Sequence, residues 1–432
     1  MSYKRGSEKM KKWYSLIDKI YQKDNLIRAS KQVRRNHGAP GIDGETVEAY
    51  MESLEENIEF LFQTLSTHSY KASPVKRVEI DKPDGGVRLL GVPTVKDRVV
   101  QKALVNILQL IFDPQFHPSS YGYRPNKSQH MALAKAELFL KHGLSHVVDM
   151  DLSKCFDTLD HQIMMDEISK TISDGSVLNL IQQFLKSGVM KDGVFKSSEI
   201  GSPQGGVISP LLSNIYLNIF DQKMMAKKIR IVRYADDILI FAKTKRDAGN
   251  LKTLATSILE DGLKLTVNKK KTKLSSHREG VAFLGVVMYP KFTRVDPKNI
   301  KRFKDKVREI TKRNNGVQLV KTIGILNSYL RGWINYYCVA NIKTLVKREM
   351  SWIRRRLRMK RMNQWKTWKA MHKEMRRQGF GEGNGERMAV TKWKNSTVQI
   401  IHVLMPNQYF YDLGLIKLEN YEVGLLSTKY NG

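Results

Sequence analysis

The spacing of hydrophobic residues changes along the chain and predicts two kinds of element. Short apolar runs at 229–232 and 238–241, and a valine-rich run that begins at His146, have the length of buried strands. Apolar residues at helical spacing, with turn residues between them, predict helices over residues 1–30, 43–64, 94–112, 318–338 and 342–378, and a hairpin over 75–92. Strands and helices thus alternate up to about residue 290, and helices dominate afterwards.

An acidic bend, Tyr234-Ala235-Asp236-Asp237, separates the apolar runs 229–232 and 238–241. A sharp bend between two strands predicts a hairpin whose tip carries both carboxylates. Like charges between apolar flanks are unfavourable unless a divalent cation binds them, and hard oxygen ligands favour Mg²⁺ over zinc. An isolated Asp-Asp bend is more often a solvated turn, so this motif needs support from elsewhere in the chain.

A third carboxylate follows the valine-rich strand, in the segment from His146 to Asp157. Asp151 is expected at the end of this strand, near the acidic bend, where three carboxylates would suit two Mg²⁺ ions. Because side chains alternate along a strand, Asp149 and Asp151 share one face, and the pattern alone cannot choose between them. Solvated charges on a strand and a helix are the simpler interpretation for some of the acidic residues in this segment.

A glycine-rich segment, residues 201–210, lies between these two acidic motifs. Its glycines allow the backbone to approach a ligand closely. Ser209 followed by Pro210 predicts an N-cap and a first turn, and apolar residues at helical spacing continue to Phe220. A turn before a core helix explains the segment equally well.

The order of these segments resembles that of reverse transcriptases, and most closely that of the bacterial group II intron maturase–reverse transcriptases. Further motifs carry the resemblance over nearly the whole chain: Gly38-Ala39-Pro40-Gly41-Ile42-Asp43-Gly44, Lys82-Pro83-Asp84-Gly85-Gly86-Val87-Arg88, Tyr121-Gly122-Tyr123-Arg124-Pro125 and Phe283-Leu284-Gly285. The resemblance implies an α+β right-hand polymerase fold, in which fingers and a palm with an antiparallel sheet precede an α-helical thumb and a small C-terminal DNA-binding module. The chain is most similar to the compact class of this family that has no endonuclease domain.

The resemblance also implies domain boundaries. An N-terminal extension and part of the fingers would occupy residues 1–95, the remaining fingers and the palm residues 96–290, the thumb residues 291–378 and the DNA-binding module residues 379–432. A glycine-rich stretch at the start of that module predicts a flexible linker. The chain's 2 cysteines are too few for a disulfide framework or a cysteine-rich zinc site, and it has no apolar run of membrane-spanning length.

Catalytic roles follow from the same resemblance. The family's catalytic aspartate lies five residues before an aromatic residue, a spacing that Asp151 and Phe156 fit. Asp236 and Asp237 match the family's acidic pair, and the backbone carbonyl of Leu152 matches a further metal ligand. The implied cofactors are two Mg²⁺ ions, for which Mn²⁺ can substitute.

The dNTP site that the resemblance implies uses five side chains: Lys82, Arg88, Phe156, Gln204 and Lys271. The lysine–arginine pair would bind the triphosphate, a role that suits charge-assisted hydrogen bonds, and the aromatic ring would exclude a 2′-hydroxyl group. Exposed hairpin charges and ordinary core packing are the simpler alternatives. Lys271 is hard to distinguish from the two lysines before it, and Phe283, Leu284 and Gly285 are similar to the family's primer grip.

Positive charge is concentrated in one region of the chain. The formal net charge is +32, and residues 291–380 hold 26 lysines and arginines against 5 aspartates and glutamates. Such a region predicts nucleic-acid binding that weakens steeply with added salt. The candidate RNA- and DNA-binding residues are Arg354, Arg355, Arg356 and Arg358. Most of the interleaved aromatic residues are expected to pack between helices.

The resemblance implies an RNA-directed DNA polymerase that also acts as a maturase, binding its own intron RNA for splicing and copying it during retrohoming. The expected partners are intron RNA, an RNA template with a DNA primer, dNTPs and target DNA, but no membrane, and the expected state is a monomer or weak homodimer. The expected location is the bacterial cytoplasm, near the nucleoid. Two alternatives stay open: a splicing-only maturase, and a domesticated reverse transcriptase used in defence, repair or diversity generation.

Overall fold

The computed structural model describes residues 12–81, 86–191, 194–196, 201, 205–365, 367–377 and 399–426. The chain forms two compact units, Met1–Ser276 and His277–Gly432. Among the described residues, no helix is both long enough and apolar enough to cross a membrane.

Helices form most of the N-terminal part of the first unit. They are α1 (Ile17–Tyr21), α2 (Lys23–Arg34), α3 (Val47–Glu52), α4 (Leu54–Ser66) and α5 (Val95–Phe112). The side-chain oxygens of Thr46 and Thr94 accept backbone N–H groups and so cap α3 and α5. The helix predicted over 43–64 is therefore two helices, which meet at Ser53, and the N-terminal helix prediction is described only from residue 12 onwards.

The strands of the first unit form two four-stranded sheets and one two-stranded sheet. They are β1 (Val75–Asp81), β2 (Val87–Val92), β3 (His146–Met150), β4 (Leu152–Ser153), β5 (Val189–Lys191), β6 (Val194–Lys196), β7 (Arg230–Tyr234), β8 (Asp237–Ala242), β9 (Thr266–Val267) and β10 (Lys273–Ser276). One sheet has the order β2-β1-β5-β6, and its strands β1 and β2 are the hairpin predicted over 75–92. The other has the order β10-β3-β8-β7 and is antiparallel throughout, as predicted for a palm.

Five more helices complete the first unit: α6 (Gln129–Lys141), α7 (His161–Thr171), α8 (Gly175–Lys186), α9 (Ser209–Ala226) and α10 (Lys245–Ser257). Helices α6, α9 and α10 contact the strands of the palm sheet, so that its inward-facing residues are fully buried. Helix α9 has Ile208 as its N-cap, one residue before the predicted cap, Ser209. The side chain of Gln101 explains the difference, because it accepts the backbone N–H groups of Val207 and Ile208 and fixes the turn before the helix.

The second unit joins a small antiparallel sheet to helices. Its elements are β11 (Val281–Phe283), β12 (Val286–Met288), β13 (Thr293–Val295), α11 (Pro297–Ile310), α12 (Leu319–Tyr337), α13 (Lys343–Gln364), α14 (Trp368–Arg377), α15 (Gln399–Leu404) and α16 (Asn407–Asp412). The helix predicted over 342–378 is thus divided into α13 and α14. Asp296 caps α11, whose first residue is a proline, a residue that suits a first helical turn.

The C-terminal segment, residues 399–426, packs on the long helices of this unit. Asn327 of α12 donates a hydrogen bond to the Gly414 carbonyl over 2.7 Å, and Arg354 of α13 donates one to the Tyr411 hydroxyl over 2.8 Å. The described part of the predicted DNA-binding module therefore belongs to the same compact unit as the predicted thumb. Strands β11 and β12, which fall in the range predicted as palm, pair with β13 of the predicted thumb in one sheet that belongs to this unit. The predicted linker lies outside the described residues.

Candidate active site

Strands β7 and β8 form the hairpin that the acidic bend predicted. Tyr234 pairs with Asp237, so that Ala235 and Asp236 make a two-residue turn. Ala235 has a φ of 58°, a left-handed conformation that costs a residue with a side chain about 1–2 kcal/mol. Asp237 begins β8 and is exposed, whereas the five residues after it are buried. The turn therefore presents two carboxylates at one edge of an otherwise apolar strand pair.

The register of the palm sheet brings Asp151 to the same edge. Met150, the last residue of β3, pairs with Ile238 of β8, and Asp151 and Asp237 are the next residues of the chain beyond this pair. The charge of Asp151 is close enough to act on the Asp237 carboxylate. Asp149 lies two residues earlier in β3 and therefore on the same face as Asp151. The sheet thus brings the three predicted carboxylates together, with Asp149 behind them.

Burial and neighbouring negative charges raise the pKa of Asp237. Desolvation is the main cause, and with the nearby charges of Asp236, Asp149 and Asp151 it raises this pKa from 3.8 to about 7, while Lys271 opposes the change. Although the Asp237 residue is exposed to solvent, protein atoms around its carboxylate still weaken hydration of the charge. An accessible carboxylate among like charges is the kind of group that a divalent cation stabilises.

The donor chemistry of this edge fits a divalent cation. Carboxylate oxygens are the ligands that Mg²⁺ prefers, and their mutual repulsion is relieved when a cation binds. In the described ranges of the chain, however, no three or more His, Cys, Asp or Glu side chains are grouped closely enough to hold a metal ion as they stand.

A turn after β9 holds Asp151. The side-chain amide of Asn268 donates a hydrogen bond to the Asp151 carboxylate over 2.9 Å, and the Asn268 backbone N–H donates to the Asp151 carbonyl over 2.8 Å. The Lys271 amine lies 3.6 Å from the same carboxylate, and Thr272 accepts the Asp151 backbone N–H over 3.3 Å. The sequence motifs did not identify Asn268 as a site residue, although it lies three residues before Lys271, which they did identify. Leu152, the predicted carbonyl ligand, begins β4 and pairs with Val267 of this same turn region.

Phe156 lies in a short 3-10 turn, Cys155–Thr158, which begins two residues after the end of β4. Lys154 precedes this turn in the left-handed conformation, with a φ of 49°. The Phe156 ring is half-buried and meets the Tyr123 ring edge-on, with centroids 6.4 Å apart. The ring of the predicted gate is therefore half-buried and not a fully buried core residue, and its role stays a prediction.

Several residues of the predicted dNTP site fall where less is described. Lys82 and Gln204 lie outside the described residues, and of Arg88 only the backbone is described, in β2 opposite Ile80. One residue after Gln204, a Cβ atom built on Gly205 would lie 2.4 Å from the Gly91 carbonyl oxygen of β2. Close approach of two backbones thus explains a glycine in this loop, and the fingers hairpin and the glycine-rich loop lie against each other.

The predicted primer grip is the hairpin turn between β11 and β12 in the second unit. Phe283 pairs with Val286, so that Leu284 and Gly285 form the turn, and both have a positive φ, 44° and 81°. This combination is typical of the tight turns that connect twisted strands, but it strains a residue as bulky as leucine. The Tyr336 hydroxyl donates to the Leu284 carbonyl over 2.8 Å and supports the turn from α12.

The four arginines predicted to bind nucleic acid do not share one environment. Arg354 and Arg358 are buried: Arg354 bridges to Glu419 and Tyr411, and Arg358 donates to the Met405 carbonyl. Arg355 is exposed and Arg356 half-buried, with its guanidinium 5.4 Å from the centre of the Trp352 ring. Burial argues against nucleic-acid contact for the first pair, which holds the C-terminal segment on α13. The prediction stays with Arg355 and Arg356.

Comparison with known protein families matches two successive parts of the chain to two family models. Residues 80–288 match the family model for reverse transcriptase (RNA-dependent DNA polymerase). Residues 300–379 match the model for the maturase-specific domain of group II introns. The first match contains the acidic edge, the glycine-rich loop and most of the fingers hairpin, and the second contains most of α11 and the whole of α12, α13 and α14.

Individual relatives agree with these matches. Protein YkfC of Escherichia coli (strain K12) is 34% identical over 310 residues, covering 62% of this chain and 81% of YkfC. Group II intron-encoded protein LtrA of Lactococcus lactis subsp. cremoris is 35% identical over 217 residues, covering 50% of this chain and 36% of LtrA. The matched region therefore spans only about a third of LtrA's length. A solved telomerase of Candida tropicalis is 17% identical, covers 58% of this chain and 60% of its own, and has a TM-score of 0.42, which is too low to argue from.

The predicted family is confirmed by the two adjacent domain matches and by these relatives. Reverse transcriptases in general use divalent metal ions, and the two domains imply nucleic-acid substrates, with RNA among them. The chain belongs to the family of group II intron-encoded reverse transcriptases and maturases, whose enzymatic activity is RNA-directed DNA polymerisation.

Proposed function

We propose that this chain copies RNA into DNA at the acidic edge of the palm sheet, with Asp151, Asp236, Asp237 and the Leu152 carbonyl as ligands of two Mg²⁺ ions. The convergence of these carboxylates, expressed in the raised pKa of Asp237, is the observation that carries the proposal. When bound, such ions supply charge stabilisation for the attacking and leaving oxygens of a phosphoryl transfer. Mn²⁺ is expected to support the same reaction.

The chain's own residues then orient the reactants. Asn268 holds the Asp151 carboxylate in place by a hydrogen bond to one of its two oxygens. Lys271, whose amine lies 3.6 Å from that carboxylate, would interact with the leaving pyrophosphate. Lys82 and Arg88 would bind the triphosphate and Gln204 the nucleotide near its template base. Phe156 would pack against the deoxyribose and exclude ribonucleotides.

Nucleic-acid binding is assigned to the basic second unit. The 26 lysines and arginines of residues 291–380 favour a long polyanionic partner, and intron RNA is recognised mainly by its shape and backbone. The proposed partners are intron RNA, an RNA template with a DNA primer, and target DNA during retrohoming. The turn of Phe283, Leu284 and Gly285 would contact the primer. We place this activity in the bacterial cytoplasm, near the nucleoid, in a monomer or weak homodimer.

Primer extension on an RNA template tests the polymerase proposal. The wild-type chain is compared with Asp237→Asn, which removes one charge at nearly constant shape, and with Asp166→Asn, an exposed control on α7. Loss of a ligand that stabilises the transition state by several kcal/mol predicts a rate at least about 10³-fold lower for Asp237→Asn. Asp166→Asn should extend the primer at the wild-type rate.

Binding of labelled intron RNA in EDTA, measured in parallel, separates the alternatives. Wild-type extension that is lost in Asp237→Asn, with RNA binding retained in both, supports the proposal. Absence of cDNA from the wild type, with tight and salt-sensitive RNA binding, would instead identify a splicing-only maturase. Efficient extension with no affinity for a group II intron RNA would favour a domesticated reverse transcriptase.

A further inference from the structure

The backbone of the turn at Ala235 and Asp236 has a conformation that its own residues do not favour. Ala235 is buried and adopts a left-handed conformation without being a glycine. Such conformations persist only where the surrounding structure imposes them. Two groups contact the turn: the Gly122 backbone, from outside the hairpin, and the Arg233 side chain, from β7 itself.

The first support is the guanidinium group of Arg233, which is fully buried. Its Nε and Nη2 donate to the Asp221 carboxylate of α9, with a shortest distance of 2.6 Å. Its Nη1 donates to the Ala235 carbonyl over 3.1 Å and to the Asn214 side-chain oxygen over 2.9 Å. The planar group therefore connects the turn to α9 at two points. A buried ion pair of this kind is often no more stabilising than apolar residues of similar volume, so stability alone does not account for it.

The second support is the backbone of Gly122. A side chain built on Gly122 would lie 2.3 Å from the Ala235 nitrogen and 3.0 Å from the Ala235 Cα atom. Because the φ of Gly122 is outside the left-handed region, an alanine could adopt the same backbone conformation. Glycine is therefore required here for close contact with the turn, and not for backbone conformation.

Asn214 joins the two supports. Its side-chain oxygen accepts from Arg233, and its side-chain nitrogen donates to the Gly122 carbonyl over 2.8 Å. The loop that contains Gly122 is also fixed to β7, since Tyr121 donates its backbone N–H to the Arg233 carbonyl over 2.9 Å. At its other end Arg124 forms an ion pair with Asp113 over 2.8 Å. The Tyr121–Pro125 motif is thus a rigid support that touches the catalytic turn.

We propose that Gly122, Asn214 and Arg233 are positioning residues, which set the place of the Ala235–Asp236 turn so that Asp236 and Asp237 can share divalent ions with Asp151. The proposal rests on the metal site of the proposed function. These three residues act through the turn, by excluding any shift of its backbone away from the acidic edge.

Gly122→Ala is the sharpest test, because it adds one methyl group against the turn. The turn must then move by about 1 Å to restore normal packing. A misplacement of that size in an active site can lower the rate about 10²-fold. Gly249→Ala is the matched control: Gly249 lies in α10, has no atom within 4 Å of an added Cβ and has no left-handed φ. Two readouts are compared, the kcat and Mg²⁺ dependence of primer extension, and Mn²⁺ binding to the free protein followed by electron paramagnetic resonance.

For Gly122→Ala we expect a kcat about 10²-fold lower, a KM for primer–template within about twofold of wild type, and weaker Mn²⁺ binding, since the ligands are displaced but the nucleic-acid surface is not. Gly249→Ala should match the wild type in all three. Arg233→Lys should share the Gly122→Ala phenotype, because lysine keeps the charge beside Asp221 but cannot bind Asp221, Asn214 and the turn carbonyl together.

Wild-type kcat and Mn²⁺ affinity in Gly122→Ala would overturn the proposal. Should this variant melt well below the wild type, Arg233→Lys decides by the same two readouts, and wild-type values there overturn the proposal equally. A wild-type protein that neither extends primers nor binds Mn²⁺ would refute the proposed function itself, an outcome distinct from failure of the positioning inference.

Discussion

The hairpin turns at Ala235 and at Leu284 each place a residue with a side chain in the left-handed conformation, and they are supported differently. In the first unit Ala235, with a φ of 58°, is held by Arg233, whose guanidinium is fully buried against Asp221. In the second unit Leu284, with a φ of 44°, is held by the Tyr336 hydroxyl. One support is a buried ion pair and the other is a part-buried neutral hydrogen bond.

The difference follows from what each turn carries. The palm turn carries carboxylates that repel one another, so a fixed backbone is needed to keep their oxygens at one edge. The turn proposed as primer grip carries no charge, and neutral hydrogen bonds hold it. The Tyr336 hydroxyl donates to the Leu284 carbonyl, and the Asn299 side chain and the Asp296 backbone N–H donate to the Gly285 carbonyl. Because breaking a buried ion pair costs more than removing a neutral hydrogen bond, the two supports should differ several-fold in energy.

The largest effect is expected for Arg233→Met, which leaves Asp221 buried without its partner. Loss of one member of a buried ion pair typically costs about 3–5 kcal/mol. Hydrogen exchange of the β7 and β8 amides in the full chain measures this locally, without assuming that the two units unfold together. Arg230→Met, at an exposed position of the same strand, is the control and should change the exchange free energy by less than about 0.5 kcal/mol. Equal changes in the two variants would mean that the ion pair does not support the hairpin.

A pH-dependent effect is expected for Asp237→Asn in EDTA. Folding raises the pKa of Asp237 from 3.8 to about 7. Between about pH 4 and pH 7 the unfolded chain has therefore released this proton while the folded chain still holds it, so the folded state loses stability as the pH rises through this range. Asparagine removes that loss. The variant should be more stable at pH 8 by about 1–2 kcal/mol, a value reduced for solvent screening of an exposed carboxylate, and no more stable near pH 4. Thermal melts at both pH values measure this difference, and a difference that does not change with pH would contradict a raised pKa of Asp237 caused by burial and neighbouring charges.

A moderate effect is expected for Tyr336→Phe, which removes the hydrogen bond to the Leu284 carbonyl. The expected cost is about 1 kcal/mol, several-fold below that of Arg233→Met. Hydrogen exchange in β11 and β12 provides the measurement, with Tyr421→Phe, in the C-terminal segment, as control. A cost as large as that of the arginine variant would remove the proposed contrast between the turns.

The fold could be predicted where local signals are strong, and the site only in part. The hairpin of Tyr234 and Asp237 follows from apolar runs on both sides of an acidic bend, and both strands and turn are confirmed. The environments of Arg354, which is buried, and Arg355, which is exposed, could not be predicted by counting charges. Lysines and arginines pack their aliphatic stems against the same helices on which other charged residues face solvent. The spacing of these two arginines relative to Met350, Ile353 and Leu357, which are buried, is the signal that would have separated them.

Other features depend on contacts that are distant in sequence. Asn268 reaches Asp151 only because β4 pairs with β9, and Gln101 reaches the start of α9 from α5. No local pattern marks either residue. The same holds for Gly122, whose contact with Ala235 joins positions more than a hundred residues apart.

The smallest effects are expected for the matched pair Ala235→Gly and Leu284→Gly. Glycine adopts a positive φ without the steric cost, but its unfolded state is more flexible, so the net gain should be about 0.5 kcal/mol or less in each turn. The leucine variant also loses partly buried apolar surface and should gain less than the alanine variant. Melting temperatures compare the two, and a clear loss of stability in Ala235→Gly would show that the alanine side chain itself supports the turn.

The central claim is that Asp151, Asp236 and Asp237 form one divalent-ion site at the edge of the palm sheet. Anomalous scattering from Mn²⁺ in crystals of the chain with primer–template and a non-hydrolysable dNTP tests it most directly. We predict anomalous peaks bounded by these three carboxylates in the wild type, which weaken or vanish in Asp237→Asn. Well-ordered carboxylates with no peak between them, or Mn²⁺ bound only elsewhere on the chain, would contradict the claim.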